Sequence, residues 1–408
     1  MRYLFVHQNF PGQFRHAARA LAEDPANEVV GIGDLLSLKG RPQLHPRVKV
    51  AGYELKAGGG AQTHAYVRDF EGHVRRGQDV VRLLLALRDK TRFQPDVVVS
   101  HPGWGESLFL RDIHPGARHI QYCEFYYHAT GADVGFDPEF PSSLNDQLRV
   151  RIKNSTQLQS LVSADAGLSP TAWQQERYPP ELRGKIRVIH DGIDTAVARP
   201  DPGATIELQG QRFAAGDEVV TYVARNLEPY RGFHVFLRML EQLQALRPQA
   251  RAIVVGGDEV SYGRPPEGKD NNWRKHYMKE LEGRVDFSRV FFTGKVPYAE
   301  YLKILQVSAA HVYLTYPFVL SWSMLEAMAA GCLLVGSRTA PVEEVIEDGR
   351  NGLLVDFFDH AALAQRVADV LARPAHYQPL RSLARQTVVQ RYDLSTVCLP
   401  RTLDFLRG

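Results

Sequence analysis

The chain has 408 residues, which is too long for one compact core and favours two domains of comparable size. Hydrophobic residues make up 44% and charged residues 23%, a balance that excludes disordered and fibrous classes. The net charge is only +3, from 49 basic and 46 acidic side chains, so the composition predicts no nucleic-acid partner.

The cysteines and the N-terminal segment bear on the cellular location of the protein. Cys123, Cys332 and Cys398 are odd in number and far apart, which fits neither a disulfide framework nor a zinc site. The N-terminus runs from one charge into a five-residue apolar stretch, shorter than the core of a signal peptide, and no run could span a bilayer. We therefore expect a cytoplasmic protein.

Short apolar runs rich in Val, Ile and Tyr alternate with helix-length segments. In the first half the predicted strands are Tyr3–His7, Asn27–Ile32, Asp96–Ser100, His119–Cys123 and Ile186–His190. In the second half they are Val219–Ala224, Ala252–Val255, Val290–Phe292, His311–Leu314, Leu333–Gly336 and Leu353–Val355. This alternation predicts two Rossmann-like α/β domains, each with a doubly wound parallel sheet covered on both faces.

A linker is predicted between the two halves. Ala198–Phe213 contains Pro200–Gly203, a composition that stops helices and strands. We therefore predict domains at 1–195 and 196–384. The remaining segment, 385–408, has a helical pattern and no following strand, and we expect it to cross back onto the N-terminal domain.

The loop after the first predicted strand contains one informative glycine. Gly12 lets the backbone approach a ligand closely, and the exposed N–H groups of the helix that starts near Phe14 favour a phosphate. A glycine at such a turn is as often a requirement of the turn itself. Both interpretations stay open for Gly12.

Two arginines follow the first strand of the second half. Arg225 and Arg231 lie in the loop that leads through Gly232 into a helical pattern at Phe233–Leu246. Guanidinium groups bind phosphate oxygens bidentately and stay charged, so this position suits a diphosphate. Solvated surface arginines are the alternative interpretation.

Later strand ends add candidates for binding a nucleotide. Gly256 and Gly257 permit close approach, and Lys295 and Val296 follow a strand where backbone groups can meet a base edge. Glu326 lies on a predicted helix among small and apolar residues, where a carboxylate needs hydrogen-bond donors that ribose hydroxyls would supply. A hydrogen bond to the protein backbone is the alternative for Glu326.

Together these residues resemble the retaining glycosyltransferases of family four, which have the GT-B fold. Arg225 and Arg231-Gly232 stand where the family has an arginine and Lys-Gly that bind the donor diphosphate, with arginine replacing lysine. Asp191–Asp194 matches the family's Asn-Gly-Val-Asp, and Leu325–Gly331 contains its Glu-Ala-Met-Ala-x-Gly. The resemblance covers nearly the whole chain and implies two domains facing across a cleft, with the nucleotide-sugar donor bound by the C-terminal domain.

One position departs from that pattern. The family has two glutamates, the first touching sugar hydroxyls and the second the ribose, and counting back eight positions from Glu326 gives Phe318. The resemblance therefore implies that the ribose contact is retained and the sugar contact is lost. The backbone N–H groups of Val319, Leu320 and Ser321 are then expected to be free to bind sugar or phosphate.

The N-terminal half resembles a bacterial polysaccharide-type branch, through His7–Phe14, His101–Glu106 and Tyr122–Tyr127. This implies transfer of a hexose from a UDP or GDP sugar to a hydroxyl of a glycan or glycolipid. At the place where family members carry a histidine, this chain has Glu124. We expect Glu124 and His101 to orient sugar and acceptor. Trp104 and Glu106 are expected on the acceptor side, and purely structural roles for His101 and Glu106 are the alternative.

The expected mechanism uses no metal and no other cofactor. No Asp-x-Asp follows a strand, and the resemblance likewise implies metal independence. Arg225, Arg231 and helix N-termini would neutralise the leaving diphosphate. The sugar is expected to transfer front-side with retention, while the departing phosphate accepts the proton of the acceptor hydroxyl.

Two segments bear on the acceptor. Arg68–Arg92 has seven basic and four acidic residues among valines and leucines. Such a helix can lie on anionic lipid, which would give peripheral contact at the inner face of the membrane, but a packed helix with a solvated face is favoured. The glycine-rich loop Ala57–Ala61 is a candidate border of the acceptor cleft.

Two other functions stay open from the sequence. Phe318 motivates a non-catalytic nucleotide-sugar-binding partner of a transferase, and a GT-B sugar-nucleotide epimerase would share the fold. A dinucleotide oxidoreductase is disfavoured because Gly-x-Gly-x-x-Gly is missing after the first strand.

Overall fold

The computed structural model describes residues 1–55, 63–268 and 272–408. The loop Ala57–Ala61 lies outside the described residues. The chain forms two compact units, one made of Met1–Asp191 with Ser395–Gly408 and the other of Gly192–Leu394. The chain therefore passes between units after Asp191, where the sequence predicted a boundary after residue 195.

The first unit is built on a parallel sheet of seven strands in the order β3-β2-β1-β4-β5-β6-β7. The strands are β1 (Arg2–Val6), β2 (Glu28–Asp34), β3 (Val48–Tyr53), β4 (Val97–Ser100), β5 (Arg118–Tyr122), β6 (Ala166–Ser169) and β7 (Ile186–Val188). The predicted strands of this half are confirmed, and β3 and β6 were not predicted. Because the strand order reverses beside β1, the loops after β1 and β4 meet at the carboxyl edge of the sheet.

Helices cover both faces of this sheet. They are α1 (Arg15–Glu23), α2 (Leu35–Leu38), α3 (Arg68–Thr91), α4 (Leu110–Ile113), α5 (Leu144–Lys153), α6 (Ser155–Ser163), α7 (Ala172–Arg177) and α8 (Pro180–Arg183). Alternate residues of β1 enter opposite clusters: Phe5 packs with α1, and Leu4 packs with Val80 and Leu84 of α3. The apolar side chains of α3 are thus used in the core, which is the packed-helix interpretation.

The second unit has a parallel sheet of six strands in the order β12-β11-β10-β13-β14-β15 and a separate two-stranded hairpin. Its strands are β8 (Thr205–Leu208), β9 (Gln211–Ala214), β10 (Val219–Asn226), β11 (Arg251–Gly257), β12 (Val290–Gly294), β13 (Ala310–Tyr313), β14 (Leu334–Ser337) and β15 (Leu353–Val355). Its helices are α9 (Phe233–Leu246), α10 (Trp273–Glu280), α11 (Tyr298–Gln306), α12 (Trp322–Ala329), α13 (Ala340–Glu343), α14 (His360–Ala372) and α15 (Gln378–Arg391). All six strands predicted for this half lie in the parallel sheet.

The predicted linker 198–213 is mostly not a linker. Strands β8 and β9 form an antiparallel hairpin whose turn places Gln209 and Gly210 at φ values of 51° and 74°, as a tight hairpin turn requires. Ile206 and Phe213 of this hairpin are buried beside Val219 and Ile253 of the sheet. The prolines before the hairpin suggested an irregular linker. The apolar side chains of the hairpin instead complete the core on one face of the sheet.

The C-terminal segment changes unit later than predicted. Residues 385–394 belong to the second unit, because the Arg385 guanidinium donates hydrogen bonds to the backbone oxygens of Thr195, Ala198 and Ala329. Only Ser395–Gly408, which contains α16 (Leu399–Arg407), belongs to the first unit. Among the described residues, no helix has both the length and the apolar composition needed to cross a bilayer.

Candidate functional site

Arg231 is fixed at the carboxyl edge of the second sheet. Its side chain is 8% exposed, and Nη1 donates to Thr315 Oγ1 and to the backbone oxygen of Val319, both at 2.9 Å. Thr315 and Val319 follow β13, while Arg231 follows β10, so the guanidinium joins the loops of two neighbouring strands at the point where the strand order reverses. Among the described residues it forms no ion pair, although its charge acts on the buried carboxylate of Glu228.

Arg225 lies at the end of β10 in a different environment. Its side chain is exposed and has no hydrogen-bond or ion-pair partner among the described residues. Its charge acts weakly on two carboxylates. The Lys295 hydrogen bond is the main cause that holds the pKa of Glu259 below the usual range, and the Arg225 charge adds to it. The Arg225 charge also opposes the effect of burial on the pKa of Glu228. Within the described part of the chain, two arginines between the end of β10 and the start of α9 thus lack a carboxylate partner.

Glu228 is a buried structural residue beside Arg231 that the sequence did not single out. It is fully buried, and its Oε2 accepts the backbone N–H groups of Ser261 at 2.8 Å and Tyr262 at 2.9 Å. Its Oε1 has no hydrogen-bond partner in the described part of the chain. Burial raises the pKa of Glu228, and the two backbone donors and the neighbouring arginines oppose that rise. The carboxylate anchors the segment after β11 beside Arg231.

Phe318 lies in an aromatic cluster beside this anchor. Its ring is 4% exposed and meets the rings of Tyr262 at 4.8 Å and Tyr230 at 5.6 Å between centroids. The Arg231 guanidinium carbon lies 5.6 Å from the Tyr262 ring centre and 5.8 Å from that of Phe318, within reach of cation–π attraction. Phe318 therefore packs around the arginine and offers no hydrogen bond to a sugar.

Side chains of this unit pack closely against the two glycines that end β11. A Cβ on Gly256 would lie 2.7 Å from the Leu227 side chain, and one on Gly257 would lie 2.5 Å from the Lys295 side chain. Lys295 Nζ in turn forms an exposed ion pair with Glu259 at 2.8 Å. The predicted close approach at these glycines is thus made by side chains of this unit, and Lys295 joins the same strand edge.

The turn before α12 offers fewer free donors than predicted. The N–H of Ser321 donates to Tyr313 Oη at 2.9 Å, and the Ser321 hydroxyl caps the helix by accepting the N–H of Ser323. The expectation of a free Ser321 N–H is therefore corrected. The N–H groups of Val319 and Leu320 make no hydrogen bond within the described residues.

Glu326 is held by two phenols from α11. Its Oε1 accepts Tyr298 Oη at 2.9 Å and its Oε2 accepts Tyr301 Oη at 2.8 Å. Burial raises the pKa of Glu326, and the bonds from Tyr301 and Tyr298 oppose that rise. A carboxylate has about four lone-pair sites, so these two bonds leave capacity for further donors. No ion pair or hydrogen bond in the described residues joins Glu326 to Arg225 or Arg231.

In the first unit, Glu124 and His101 are brought together. Glu124 follows β5 and His101 follows β4, and His101 Nε2 lies 3.3 Å from Glu124 Oε2. The Glu124 side chain is 36% exposed, while that of His101 is 4% exposed. Burial acts to raise the pKa of Glu124, but the hydrogen bond from His101 prevails and holds it below the usual range. Glu124 is therefore an ionised, accessible carboxylate.

His7 and Gln13 extend this cluster and were not predicted as site residues. His7 Nε2 lies 2.8 Å from Gln13 Oε1, and Gln13 Nε2 donates to Glu124 Oε1 at 3.0 Å. A Cβ on Gly12 would lie 2.6 Å from His7 Nε2, so Gly12 is required by the His7 ring. The motif His7–Phe14 was recognised in the sequence, but only the fold places it beside Glu124.

Trp104 and Glu106 have unlike environments. The half-buried Trp104 ring stacks on His101 with centroids 4.6 Å apart. Glu106 is fully buried; it accepts Tyr53 Oη at 2.6 Å and lies 3.7 Å from Arg76 Nε. Burial raises its pKa. The predicted contact of Glu106 with an acceptor is corrected to a structural position, because no part of its side chain reaches the surface.

Comparison with known families accounts for both units. Residues 27–198 match the family described as "Glycosyl transferase family 4 group", and residues 205–387 match "Glycosyl transferases group 1". The chain belongs to glycosyltransferase family 4. The resemblance to family four drawn from the sequence is thereby confirmed.

Relatives of this family 4 chain have different substrates. It is 26% identical to the D-inositol 3-phosphate glycosyltransferase of Streptomyces avermitilis over 54% of this chain and 47% of that protein. It is 28% identical to the glycogen synthase of Mycobacterium tuberculosis over 58% of this chain and 51% of that protein. The chain thus spans about half the length of the curated relatives it matches.

Solved structures show the fold of this family 4 chain. The crystal structure of Anabaena HepE in complex with UDP-glucose matches with a TM-score of 0.68 and 17% identity, covering 100% of both chains. The expected GT-B fold, with two Rossmann-like parallel-sheet units, is confirmed.

Proposed function

We propose that this chain is a retaining glycosyltransferase that moves a hexose from a UDP- or GDP-type sugar to a hydroxyl of a glycan or glycolipid acceptor. The acceptor belongs, in this proposal, to bacterial surface polysaccharide or glycoconjugate synthesis. Family membership supports group transfer from a nucleotide sugar, and the HepE complex supports a UDP sugar as the first donor to test.

The observation that carries the proposal is the pair of arginines between the end of β10 and the start of α9. Other arginines of this unit, such as Arg238 and Arg274, form ion pairs with carboxylates at 2.7 and 2.5 Å. Arg225 and Arg231 have none among the described residues, and they lie at the carboxyl edge of a parallel sheet, where such folds bind ligands. Two guanidinium groups without ion-pair partners at this edge suit a diphosphate.

The groups around the arginines suit the rest of the donor. Glu326 is held by phenols and keeps lone pairs for ribose hydroxyls. The N–H groups of Val319 and Leu320 are unbonded within the described residues and would donate to the sugar or phosphate. Phe318 offers no carboxylate, so sugar hydroxyls would be bound by backbone donors here.

Transfer is proposed to proceed front-side and with retention. The acceptor oxygen bonds to the anomeric carbon as the bond from that carbon to the diphosphate breaks, and the departing phosphate oxygen takes the hydroxyl proton. Arg225 and Arg231 stabilise the charge that develops on the diphosphate, so no metal is required. Glu124 is ionised and accessible, and in this scheme it and His101 orient hydroxyl groups without attacking the sugar.

The decisive experiment combines donor binding with transfer. Thermal-shift measurements with UDP, GDP, ADP and TDP identify the base, since a ligand that binds only the folded state raises the melting temperature. The matched nucleotide sugars are then tested for transfer to glycan and glycolipid acceptors and for hydrolysis.

The matched variants are Arg225→Ala and Arg366→Ala, since both side chains are exposed in the same unit. Arg225→Ala is expected to lower turnover at least about a hundredfold without unfolding, whereas Arg366→Ala is expected to behave as wild type. Near-normal turnover in Arg225→Ala would remove the diphosphate role. Donor binding without transfer or hydrolysis would favour the non-catalytic partner, and donor conversion without acceptor would favour the epimerase.

A further inference from the structure

We infer that His7 and Gln13 are positioning residues that fix the Glu124 carboxylate through a directed chain of hydrogen bonds. The role of the fixed carboxylate, accepting a sugar hydroxyl, rests on the proposed function. The chain of bonds itself rests on geometry within the first unit.

The direction of each bond follows from the backbone donors at its ends. The N–H of Asn9 donates to His7 Nδ1 at 2.8 Å, so this nitrogen carries no proton and the ring proton lies on Nε2. His7 Nε2 therefore donates to Gln13 Oε1, which leaves the Gln13 amide nitrogen to donate to Glu124 Oε1. Each group in this chain has one orientation that satisfies all its neighbours.

His101 reaches the other oxygen of Glu124 by the same principle. The N–H of Gly103 donates to His101 Nδ1 at 3.0 Å, so Nε2 carries the proton and donates to Glu124 Oε2. Glu124 thus receives one donor on each oxygen, from two different loops. In both histidines a backbone N–H occupies Nδ1, so Nε2 is the nitrogen that donates.

Packing leaves the His7 ring little freedom. It is 3% exposed and lies edge-on to the rings of Phe14, His101 and Trp104, with centroids between 5.1 and 5.7 Å apart. Gly12 supplies the space for its Nε2 edge, because a Cβ there would lie 2.6 Å away. The glycine that the sequence suggested for a phosphate therefore permits the first bond of the chain.

The fixed carboxylate is an acceptor with open lone pairs. Glu124 keeps its exposed fraction of 36% while both oxygens are held, so a hydroxyl can approach without first reorienting it. The titratable groups that act on it are His101 and His7, with Tyr122 and Tyr178 on neighbouring elements. Burial lowers the pKa of His7 to about 3, so His7 stays neutral near neutral pH and the bond direction is preserved.

Variants at His7 distinguish the role of its Nε2 atom from that of its Nδ1 atom. His7→Gln keeps an amide N–H near the Nε2 position and should preserve the bond to Gln13, whereas His7→Asn keeps only an acceptor near Nδ1 and should break it. Gln13→Leu removes the middle of the chain, and Gly12→Ala displaces the His7 ring. His64→Asn is the matched control, because exposed His64 also accepts a backbone N–H two residues on, from Tyr66.

The first readout needs no activity. With 13C-labelled glutamate, and with Glu124→Gln to assign the signal, NMR titration gives the pKa of Glu124 in the full chain. His7→Asn, Gln13→Leu and Gly12→Ala should raise this pKa, because a donor to the ionised form is lost. His7→Gln and His64→Asn should leave it as in wild type.

The second readout is transfer. His7→Asn and Gln13→Leu should each lower kcat/KM about three- to tenfold, and the double variant should lose no more than either single one. Additive losses, or an unchanged Glu124 pKa in His7→Asn and Gln13→Leu, would overturn the inference. If wild type transfers no sugar, the proposed function fails while the NMR titration still decides the role of His7 and Gln13.

Discussion

Arg231 donates from Nη1 to the backbone oxygen of Val319 at 2.9 Å and so ties the end of β10 to the turn before α12. The same guanidinium has no carboxylate partner in the described residues. Its Nη1 therefore holds the turn before α12, while the guanidinium charge remains available to the diphosphate of the proposed donor.

Replacing Arg231 by lysine tests both its structural hydrogen bonds and its proposed contact with the diphosphate. Arg231→Lys keeps the charge but loses the planar fork that reaches Thr315 and Val319. We expect kcat/KM for the donor to fall about tenfold or more, with loss of about 1 kcal/mol of stability from the missing bonds. Steady-state kinetics and urea unfolding measure the two effects. Arg238→Lys, at an exposed ion pair of the same unit, is the control, and equal losses in both variants would refute a special role for Arg231.

Removing the phenol of Tyr301 tests the role of Glu326. Burial raises the pKa of Glu326 and the Tyr301 hydrogen bond opposes this, so Tyr301→Phe should raise that pKa further. The ionised carboxylate is the form that accepts ribose hydroxyls, so the acid limb of the kcat/KM profile should move to higher pH. Tyr377→Phe, whose phenol binds Asp369 on α14, should leave the profile in place. An unmoved acid limb in Tyr301→Phe would separate Glu326 from donor binding.

Acid stability should depend on a histidine in the core. His311 is fully buried on β13; its Nδ1 is bonded to Thr221, and its Nε2 has no partner in the described residues. Burial lowers its pKa from 6.5 to about 3. Between these values the unfolded chain binds a proton that the folded chain excludes, so the stability is complete above about pH 6.5 and declines as pH falls towards 3.

Urea unfolding between pH 7.5 and 4.5 measures this decline. His311→Gln, which cannot take up a proton, should lower the stability at neutral pH and make its pH dependence shallower. Burial also lowers the pKa of His7 to about 3 and that of His190 to about 4. These two histidines should therefore preserve part of the pH dependence of stability in His311→Gln. A slope unchanged by His311→Gln would show that this histidine does not contribute.

Chelation tests the expected independence from metal. If Arg225 and Arg231 neutralise the leaving diphosphate, turnover in excess EDTA should stay within about twofold of the untreated enzyme. The assay follows release of nucleoside diphosphate with and without chelator. Activity that is lost with EDTA and restored by a divalent cation would contradict the proposed mechanism.

The parallel sheets were predictable because buried strands are continuous apolar runs. Strands such as β4 (VVVS) and β11 (RAIVVGG) contain such runs, whereas β3 (VKVAGY) mixes charge and glycine at the sheet edge and β6 (AGLS) is short and weakly apolar. The hairpin β8–β9 was hidden by Pro200–Gly203, since this composition marks a break in regular structure but carries no information about the next element. The hairpin is stabilised by the packing of Ile206 and Phe213 in the core, which the local sequence does not reveal.

The sequence could predict which candidate site residues follow the ends of strands, but not which residues contact them. Arg231 and Glu124 follow strands whose carboxyl edges the pattern already located, but their partners come from distant segments. Glu326 meets Tyr298 and Tyr301 across 28 and 25 positions, and Glu124 meets Gln13 across 111. The buried Glu106 likewise takes its hydrogen bond from Tyr53 on β3, 53 positions earlier in the chain. Contacts of this kind depend on the fold and leave no local pattern.

Helix α16 has a consequence for biosynthesis. Leu406 is 1% exposed within the cluster that contains Phe5 and Ala18, and Arg118 donates to the backbone oxygen of Phe405 at 2.6 Å. The residues that complete this core emerge from the ribosome only after the whole of 192–394 has been translated. Domains generally fold as units during synthesis. Here the core of the first unit lacks α16 while residues 192–394 are being translated, so the first unit cannot complete its fold until the second has been synthesised.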